Sequence, residues 1–188
     1  FIESTFVNAS ALTTKGMDIQ VAYAFDVDDV LGDIDPFFAE LGGRIALTVI
    51  ANYVEELRVF AFQSDPTDEN IEEGEIGDPE WSFITNTTYD NGPFRLTWRS
   101  RYEDEVSRFS QGASSPEFIS PSYVEAVWYH DFVFTYRLEE FTGHESEFYL
   151  GVNNAFDEEL PIGLTGNGTS SAYDLLGRTV FVGARAKF

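Results

Sequence analysis

Hydrophobic and polar residues alternate along much of this chain, and the alternation is most regular over residues 178–188. One set of alternate positions is apolar: Val180, Val182, Ala184, Ala186 and Phe188. The positions between them are mostly polar or small: Thr179, Phe181, Gly183, Arg185 and Lys187. Successive side chains of a strand point to opposite faces, so this period of two predicts a strand with one apolar and one mostly polar face.

Seven further segments carry strand signals, separated by clusters of Gly, Pro, Asn and Asp. They span residues 1–10, 16–26, 43–62, 79–90, 93–107, 123–138 and 147–156. Two connections also carry signals. Asn91-Gly92 predicts a tight hairpin turn, and Asp35 is expected to cap a short helical turn that opens at Pro36 and closes at Gly42.

Strand length and the placement of aromatic residues favour a transmembrane β-barrel. Several segments exceed the roughly five or six residues of soluble strands and match the about 9–11 residues of tilted membrane strands. Trp81 with Tyr89, and Trp128 with Tyr136, lie near the ends of apolar faces, as expected at the two water–lipid interfaces. Long connections at 63–78, 111–122 and 161–177 alternate with shorter ones, although the connection 27–43 breaks this asymmetry. A soluble β-sandwich remains the alternative.

Composition and charge exclude several classes of protein. The 188 residues carry a formal net charge of −22, which excludes nucleic-acid binding because capture of phosphates needs a basic surface. No run approaches the roughly 20 apolar residues of a membrane helix, so a helical membrane protein is also excluded. The absence of cysteine fits an oxidising compartment.

Four blocks of sequence resemble TonB-dependent outer-membrane receptors, in order and at the expected spacing. The blocks are Gly77-Asp-Pro-Glu-Trp81; Trp128-Tyr-His-Asp131 with Tyr136-Arg-Leu138; Leu150-Gly-Val-Asn-Asn-Ala-Phe-Asp157; and Tyr173-Asp-Leu-Leu-Gly-Arg178 with the strand that follows. The most specific feature is the Asn153-Asn154-Ala-Phe156-Asp157 block coupled to the terminal Phe188. The similarity spans almost the whole chain.

The resemblance implies an all-β fold in which residues 1–188 supply the last eight or so strands of an antiparallel, plugged barrel of about 22 strands. The connections 63–78, 111–122 and 161–177 would be extracellular loops, and 27–43, 91–92 and 139–145 periplasmic turns. The plug and the TonB-contacting segment are not in this sequence, so we expect it to begin within a longer protein.

The resemblance also implies a location and partners. The location is the outer membrane of a Gram-negative bacterium, and the partners are outer-membrane lipid and lipopolysaccharide, the barrel-assembly machinery, TonB, and the remaining barrel strands and plug. Val180, Val182, Ala184, Ala186 and Phe188 would form the signal that the assembly machinery recognises.

Two groups of residues are candidates for contact with a transported ligand. Arg95, Arg99 and Arg101 share the polar face of one predicted strand, where they can pair with inward carboxylates such as Asp18, Glu56 or Glu103, or bind anionic cargo. The second group lies in an acidic loop and comprises Asp68, Glu72 and Glu73. Its charge run is most simply a solvated surface.

Catalytic, metal and cofactor sites have no support in the sequence. No acidic run has the spacing of an EF-hand loop. His130 alternates with Trp128 and Phe132, whereas Asp131 points to the opposite face, so the two cannot form a dyad within one strand. We therefore predict no enzyme activity and no cofactor.

The predicted function is active uptake of a scarce nutrient across the outer membrane. A siderophore–iron complex, cobalamin and an oligosaccharide are all compatible with the sequence. Two alternatives remain: a stand-alone eight-stranded outer-membrane barrel that acts as an anchor or small pore, because eight strands suffice to close a barrel, and the soluble β-sandwich as a binding module.

Overall fold

Seven long strands form one antiparallel sheet in which each long strand pairs with the next one along the chain. A computed structural model describes residues 11–60, 67, 69–108, 121–138, 146–161 and 173–187. The long strands are β1 (Ala11–Asp26), β2 (Arg44–Phe60), β4 (Trp81–Asn91), β5 (Phe94–Glu103), β8 (Val127–Arg137), β9 (Ser146–Asn153) and β10 (Thr179–Ala186). Short β3 (Glu69–Ile71) adds to β2, and β6 (Val106–Ser107) pairs with β7 (Tyr123–Val124). The described sheet is not closed, since β1 and β10 form its two edges.

The predicted strands are largely confirmed, apart from segment 1–10, which lies outside the described residues. The predicted strands 93–107 and 123–138 are each interrupted, giving β5 then β6, and β7 then β8. The first interruption has a local cause, because the Asp104 carboxylate accepts hydrogen bonds from the Glu105 N–H and the Tyr102 hydroxyl, both at 2.9 Å. Such a side-chain bond to the backbone competes with the strand ladder.

The register joins the apolar positions of successive strands into one continuous face. Val21 on β1 lies opposite Val49, and Leu96 on β5 lies opposite Phe134. Phe134 in turn lies opposite Leu150. Directly opposite residues share a face of the sheet, so these rows build an apolar face whose large side chains remain exposed. The other side, here called the polar face, carries rows such as Thr48, Asn86, Arg99 and Asp131.

Aromatic side chains border the apolar face at both ends of the strands, as predicted. At one end Tyr53 stacks on Trp81, with ring centroids 4.5 Å apart. At the other end Phe94 contacts Tyr136 at 5.0 Å, on the row next to that of Tyr89. We call these the long-connection end and the short-connection end, because the longer connections follow β2, β5 and β9, whereas the others follow β1, β4 and β8.

The short-connection end confirms the predicted helical turn and shifts the predicted hairpin. Helix α2 (Pro36–Leu41) is capped by Asp35, whose carboxylate accepts a 2.9 Å hydrogen bond from the Phe37 N–H. A preceding helix, α1 (Val27–Leu31), was not predicted. The hairpin turn consists of Gly92 and Pro93 instead of Asn91 and Gly92, because Asn91 still pairs with Phe94. Gly92 has a φ of 55°, which suits the first central position of a two-residue hairpin turn.

Two glycines of the β9–β10 hairpin lie beneath aromatic rings on the polar face. Phe181 lies opposite Gly151, and Tyr149 lies opposite Gly183. A Cβ atom at Gly151 would overlap the Phe181 ring, and one at Gly183 would overlap the Tyr149 ring. Each ring therefore fills the space that a side chain at the opposite glycine would occupy. The rings compensate for the packing that a strand loses at a glycine.

We predict that Gly151→Ala destabilises the full-length protein by about 1–3 kcal/mol, because the new methyl group displaces the Phe181 ring. Urea unfolding in lipid vesicles measures the change. The control is the same substitution made in a Phe181→Ala variant. The ring is absent there, so Gly151→Ala should lower the free energy of unfolding only slightly further. An equal loss in both backgrounds would contradict the proposed packing.

Candidate functional site

The three candidate arginines share the polar face of β5, as predicted, but lie in different surroundings. Arg95 is near the short-connection end and lies opposite Asp90 on β4. Arg99 and Arg101 are nearer the long-connection end, opposite Asp131 and Tyr129 on β8. The position along the strand thus decides which groups each guanidinium can reach.

Arg95 is held in an ion-pair network at the short-connection end. Its Nε and the Nη2 of Arg137 both donate to Oδ1 of Asp90, each at 2.8 Å. On the same polar face Arg44 is 3.2 Å from Asp26, and Arg185 is 3.1 Å from Glu147. These four arginines therefore have carboxylate partners within the sheet.

Two of the expected arginine partners are bonded elsewhere. Asp18 accepts a 2.6 Å hydrogen bond from Asn52, and Glu56 lies 3.6 Å from Arg58. The reason is the register, which places Asp18 beside Asn52 on the neighbouring strand, two strands away from β5. Glu103, the third expected partner, lies on the same face of β5 as Arg101 but forms no ion pair with it within the described part of the chain.

Arg99 and Arg101 form no ion pair with any carboxylate among the described residues. The Arg101 guanidinium lies 5.2 Å from the ring centre of Tyr129, a cation–π arrangement. Its Nε is buried and has no hydrogen-bond partner within the described ranges. A buried N–H donor without an acceptor is costly in free energy, so the approach of an acceptor to it is favourable.

These two arginines line a pocket of about 360 Å³, here called the arginine pocket. Its other walls are formed by Asp131, Asn153, Tyr173, Asp174, Leu176 and Thr179. The two carboxylates each accept one backbone hydrogen bond of 2.9 Å, Asp131 from Asn154 and Asp174 from Leu176. The backbone thereby fixes both carboxylates, and the pocket brings two carboxylates and two guanidinium groups together.

Buried side chains support the pocket at the long-connection end. Tyr129 and Tyr173 pack with Val106, Val124 and Val127, and these make up most of the buried apolar residues in the described ranges. Burial, with a smaller contribution from Glu103, raises the pKa of the Tyr173 hydroxyl to about 12. Tyr173 thus attaches the segment before β10 to the polar face.

The Asn-Asn-Ala-Phe-Asp block folds back on itself directly after β9. Asn154 has a φ of 47° and is buried, and its side-chain amide donates to the Glu158 carbonyl at 2.9 Å and accepts from the Glu158 N–H at 2.8 Å. Asp157 accepts from the Arg178 N–H at 2.9 Å. The block therefore joins the end of β9 to the start of β10 and positions the wall of the arginine pocket.

The acidic candidates Glu72 and Glu73 lie beside the backbone of β2. Glu73 accepts a 2.8 Å hydrogen bond from the Leu57 N–H, and the Glu72 N–H donates to the Leu57 carbonyl at 2.8 Å. Burial, and then the nearby Glu72, raise the pKa of the Asp78 carboxyl group. Asp68 lies outside the described residues. Among the described residues no three His, Cys, Asp or Glu side chains are placed to hold a metal ion.

His130 lies on the apolar face, and Asp131 lies on the polar face, as predicted. The Trp98 indole N–H donates to His130 Nδ1 at 3.2 Å, and the Phe156 ring meets the imidazole edge-on at 5.1 Å. The histidine is therefore a packed structural residue.

The last strand presents its predicted apolar set on the apolar face. Val180 and Val182 lie opposite Val152 and Leu150, and Ala184 and Ala186 continue the row along β9. Val180 and Val182 are exposed. Phe188 lies outside the described residues.

An antiparallel meander with one uncovered apolar face, aromatic borders and one polar face defines the wall of a membrane β-barrel. No helix in the described part of the chain is long and apolar enough to cross a membrane. A model of the family described as "TonB dependent receptor-like, beta-barrel" matches residues 2–155. The chain belongs to this family.

Members of this family are outer-membrane transporters of Gram-negative bacteria that work with TonB. No curated protein and no solved structure matches the chain. The residues of the arginine pocket therefore have to be interpreted from their own geometry.

We predict that Tyr173 stays protonated to higher pH than an exposed tyrosine. Because its pKa is raised to about 12, its contribution to stability is present below the ordinary pKa of about 10 and is lost as pH rises through 12. The difference in absorbance at 295 nm between wild type and Tyr173→Phe, followed against pH, measures this titration. Ionisation near pH 10 would contradict the burial of this hydroxyl.

Proposed function

We propose that residues 1–188 form the C-terminal part of a plugged barrel of about 22 strands, in a receptor that takes up a scarce nutrient with energy from TonB. The family match over residues 2–155 carries this proposal. The uncovered apolar face supports it, since lipid covers that face without a second protein layer.

The orientation follows from the lengths of the connections. Barrels of this kind have short periplasmic turns and longer extracellular loops. The long-connection end is therefore extracellular, and the arginine pocket opens towards the outside of the cell. The edge strands β1 and β10 cannot stay unpaired in lipid, and in the proposed receptor the remaining strands of the barrel pair with them.

The mechanism is capture followed by release, without bond chemistry. Ligand binds from the extracellular side, and TonB then drives a rearrangement of the plug. Arg99 and Arg101 face the ligand path with donors that no described carboxylate occupies, so they contact an anionic group of the cargo. Siderophore–iron complexes with carboxylate groups fit this site better than neutral oligosaccharides. Glu72 and Glu73, beside the backbone of β2, are further candidates for ligand contact, as is Asp68, which lies outside the described residues.

The two alternative functions are less well supported. A soluble β-sandwich needs a second sheet on its apolar face, and the described residues supply none. A stand-alone eight-stranded barrel needs no plug and no TonB, whereas the family model is that of the receptor barrel.

The function is tested by uptake in cells that produce the full-length receptor, with and without functional TonB. The cargo panel is radiolabelled ferric siderophores with and without carboxylate groups, cobalamin and a maltooligosaccharide. TonB-dependent accumulation of one of these supports the proposal. Diffusive entry that does not need TonB would indicate the small-pore alternative.

The role of the pocket is tested by Arg99→Gln combined with Arg101→Gln. Loss of two charge-assisted hydrogen bonds, each worth about 1.5–3 kcal/mol, should weaken cargo binding by about a hundredfold or more. Arg185→Gln, on the polar face at the opposite end, is the control for a lost positive charge and should bind normally. Unchanged affinity in the double variant would remove Arg99 and Arg101 from the site while leaving the transport function intact.

The terminal strand is proposed to carry the assembly signal, through Val180, Val182, Ala184, Ala186 and Phe188. We predict that Phe188→Asp lowers the amount of full-length receptor in the outer membrane, measured by immunoblot of membrane fractions. Lys187→Gln, on the other face of the predicted strand, is the control. Equal amounts of wild type and Phe188→Asp would contradict the signal.

A further inference from the structure

The connection between β1 and β2 forms a compact helical unit at the short-connection end. The Val27 N–H donates to the Gly43 carbonyl at 2.8 Å, which closes the base of the connection, and Val27 is buried. The Ile34 N–H donates to the Leu31 carbonyl at 3.0 Å, and Gly42 donates to Phe38 at 3.1 Å. These bonds satisfy part of the backbone internally, which suits a segment that leaves water.

The end of α2 is attached to the apolar side of the sheet. The Tyr89 hydroxyl donates to the Gly42 carbonyl at 3.1 Å, and the Asn91 side chain donates to the Leu41 carbonyl at 2.7 Å. Tyr89 and Asn91 belong to the apolar-face rows, opposite Leu96 and Phe94. The last carbonyls of α2 are thereby satisfied from the face that meets lipid.

The helical unit exposes large apolar side chains on one side. Ile34 is 74% exposed and Phe37 is 61% exposed, and Leu41 is also exposed. Phe37 and Leu41 are four residues apart in α2 and therefore share one side of that helix, and Ile34 lies in the turn immediately before its Asp35 cap. The connection also carries four exposed acidic residues: Asp28, Asp29, Asp33 and Glu40.

We propose that this side of the unit, Ile34, Phe37 and Leu41, inserts into the phospholipid surface of the membrane next to the barrel. This inference rests on the proposed transmembrane orientation of the sheet. The occupant is lipid because the unit is bonded to the apolar face and continues it beyond Phe25 and Phe94. Exposed aromatic and aliphatic side chains beside polar groups are the composition that settles at a membrane interface.

The insertion gives the connection a function that a two-residue turn lacks. A lipid-bound unit at the end of β1 and β2 holds these two strands at a fixed depth in the membrane. The acidic residues remain in the headgroup region or in water, where they keep their charge. Anionic lipid is therefore not required for the contact.

The depth of single nitroxide labels tests the proposal in the full-length receptor, reconstituted in phosphatidylcholine vesicles. This chain has no cysteine, so labels at Ile34→Cys and Phe37→Cys are unambiguous once any cysteine elsewhere in the receptor is replaced. Power saturation in the presence of oxygen and of a water-soluble nickel complex reports whether lipid or water surrounds each label. Asp29→Cys is the water-facing control, and Val21→Cys on the apolar face is the lipid-facing control.

We expect the ratio of oxygen accessibility to nickel accessibility to be severalfold higher for the labels at positions 34 and 37 than for the label at position 29. Equal nickel access at 34, 37 and 29, with lipid access at 21, would overturn this inference and leave the barrel intact. Shielding of 34 and 37 from both reagents would also overturn it, because a protein partner would then cover the unit. Nickel access at 21 would instead contradict the proposed membrane-spanning sheet.

A second measurement avoids the bulk of the label. Phe37→Trp adds an indole on the proposed lipid side, and brominated phosphatidylcholine quenches indoles that contact lipid. We expect stronger quenching of the added fluorescence than for Asp29→Trp in α1, the water-facing control position. Equal quenching of the two would contradict insertion.

Discussion

The structure depends on the pairing of backbone hydrogen bonds between neighbouring strands. Lipid offers no partner to a peptide N–H or C=O group, so a spanning sheet has to satisfy these groups from strand to strand. Pairing each strand with its successor does this with the fewest long connections. It also forces the period of two, because every second side chain then faces lipid and the others face the interior. Buried residues are consequently few, and those within the described ranges cluster mainly where β6, β7 and the segment near Tyr173 cover the polar face.

Much of this fold could be predicted because the period of two acts through local geometry. The strands β1, β2, β4, β5, β8, β9 and β10 all follow alternating segments, and Asp35 marks the start of α2 as its residue type suggests. The interruption after β5 could not be predicted, because it depends on the Asp104 side chain finding both Glu105 and Tyr102. The helix α1 was missed because Val27-Asp-Asp-Val-Leu31 is too short to show helical periodicity.

The candidate site shows where prediction from sequence ends. The shared face of Arg95, Arg99 and Arg101 follows from alternation alone. Their different surroundings depend on the register, which brings Asp90 next to Arg95 and Tyr129 next to Arg101. Tyr173 and Asp174 reach the pocket from a segment far along the chain. Their place in the pocket could not be predicted, because the spacing of residues within one segment contains no information on its contacts with distant segments.

Ion pairs occur at both ends of the described sheet, but they do not include every arginine of the polar face. At the short-connection end Asp90 accepts hydrogen bonds from both Arg95 and Arg137, which joins β4, β5 and β8. At the long-connection end Arg99 and Arg101 have no such partner among the described residues, although the chain carries a net charge of −22. Asp131 lies opposite Arg99, and Glu103 is on the same face of β5 as Arg101, but neither carboxylate forms an ion pair with these guanidinium groups in the described part of the chain. The Arg101 guanidinium instead lies over the Tyr129 ring, so cation–π attraction, rather than a carboxylate, holds it on the polar face.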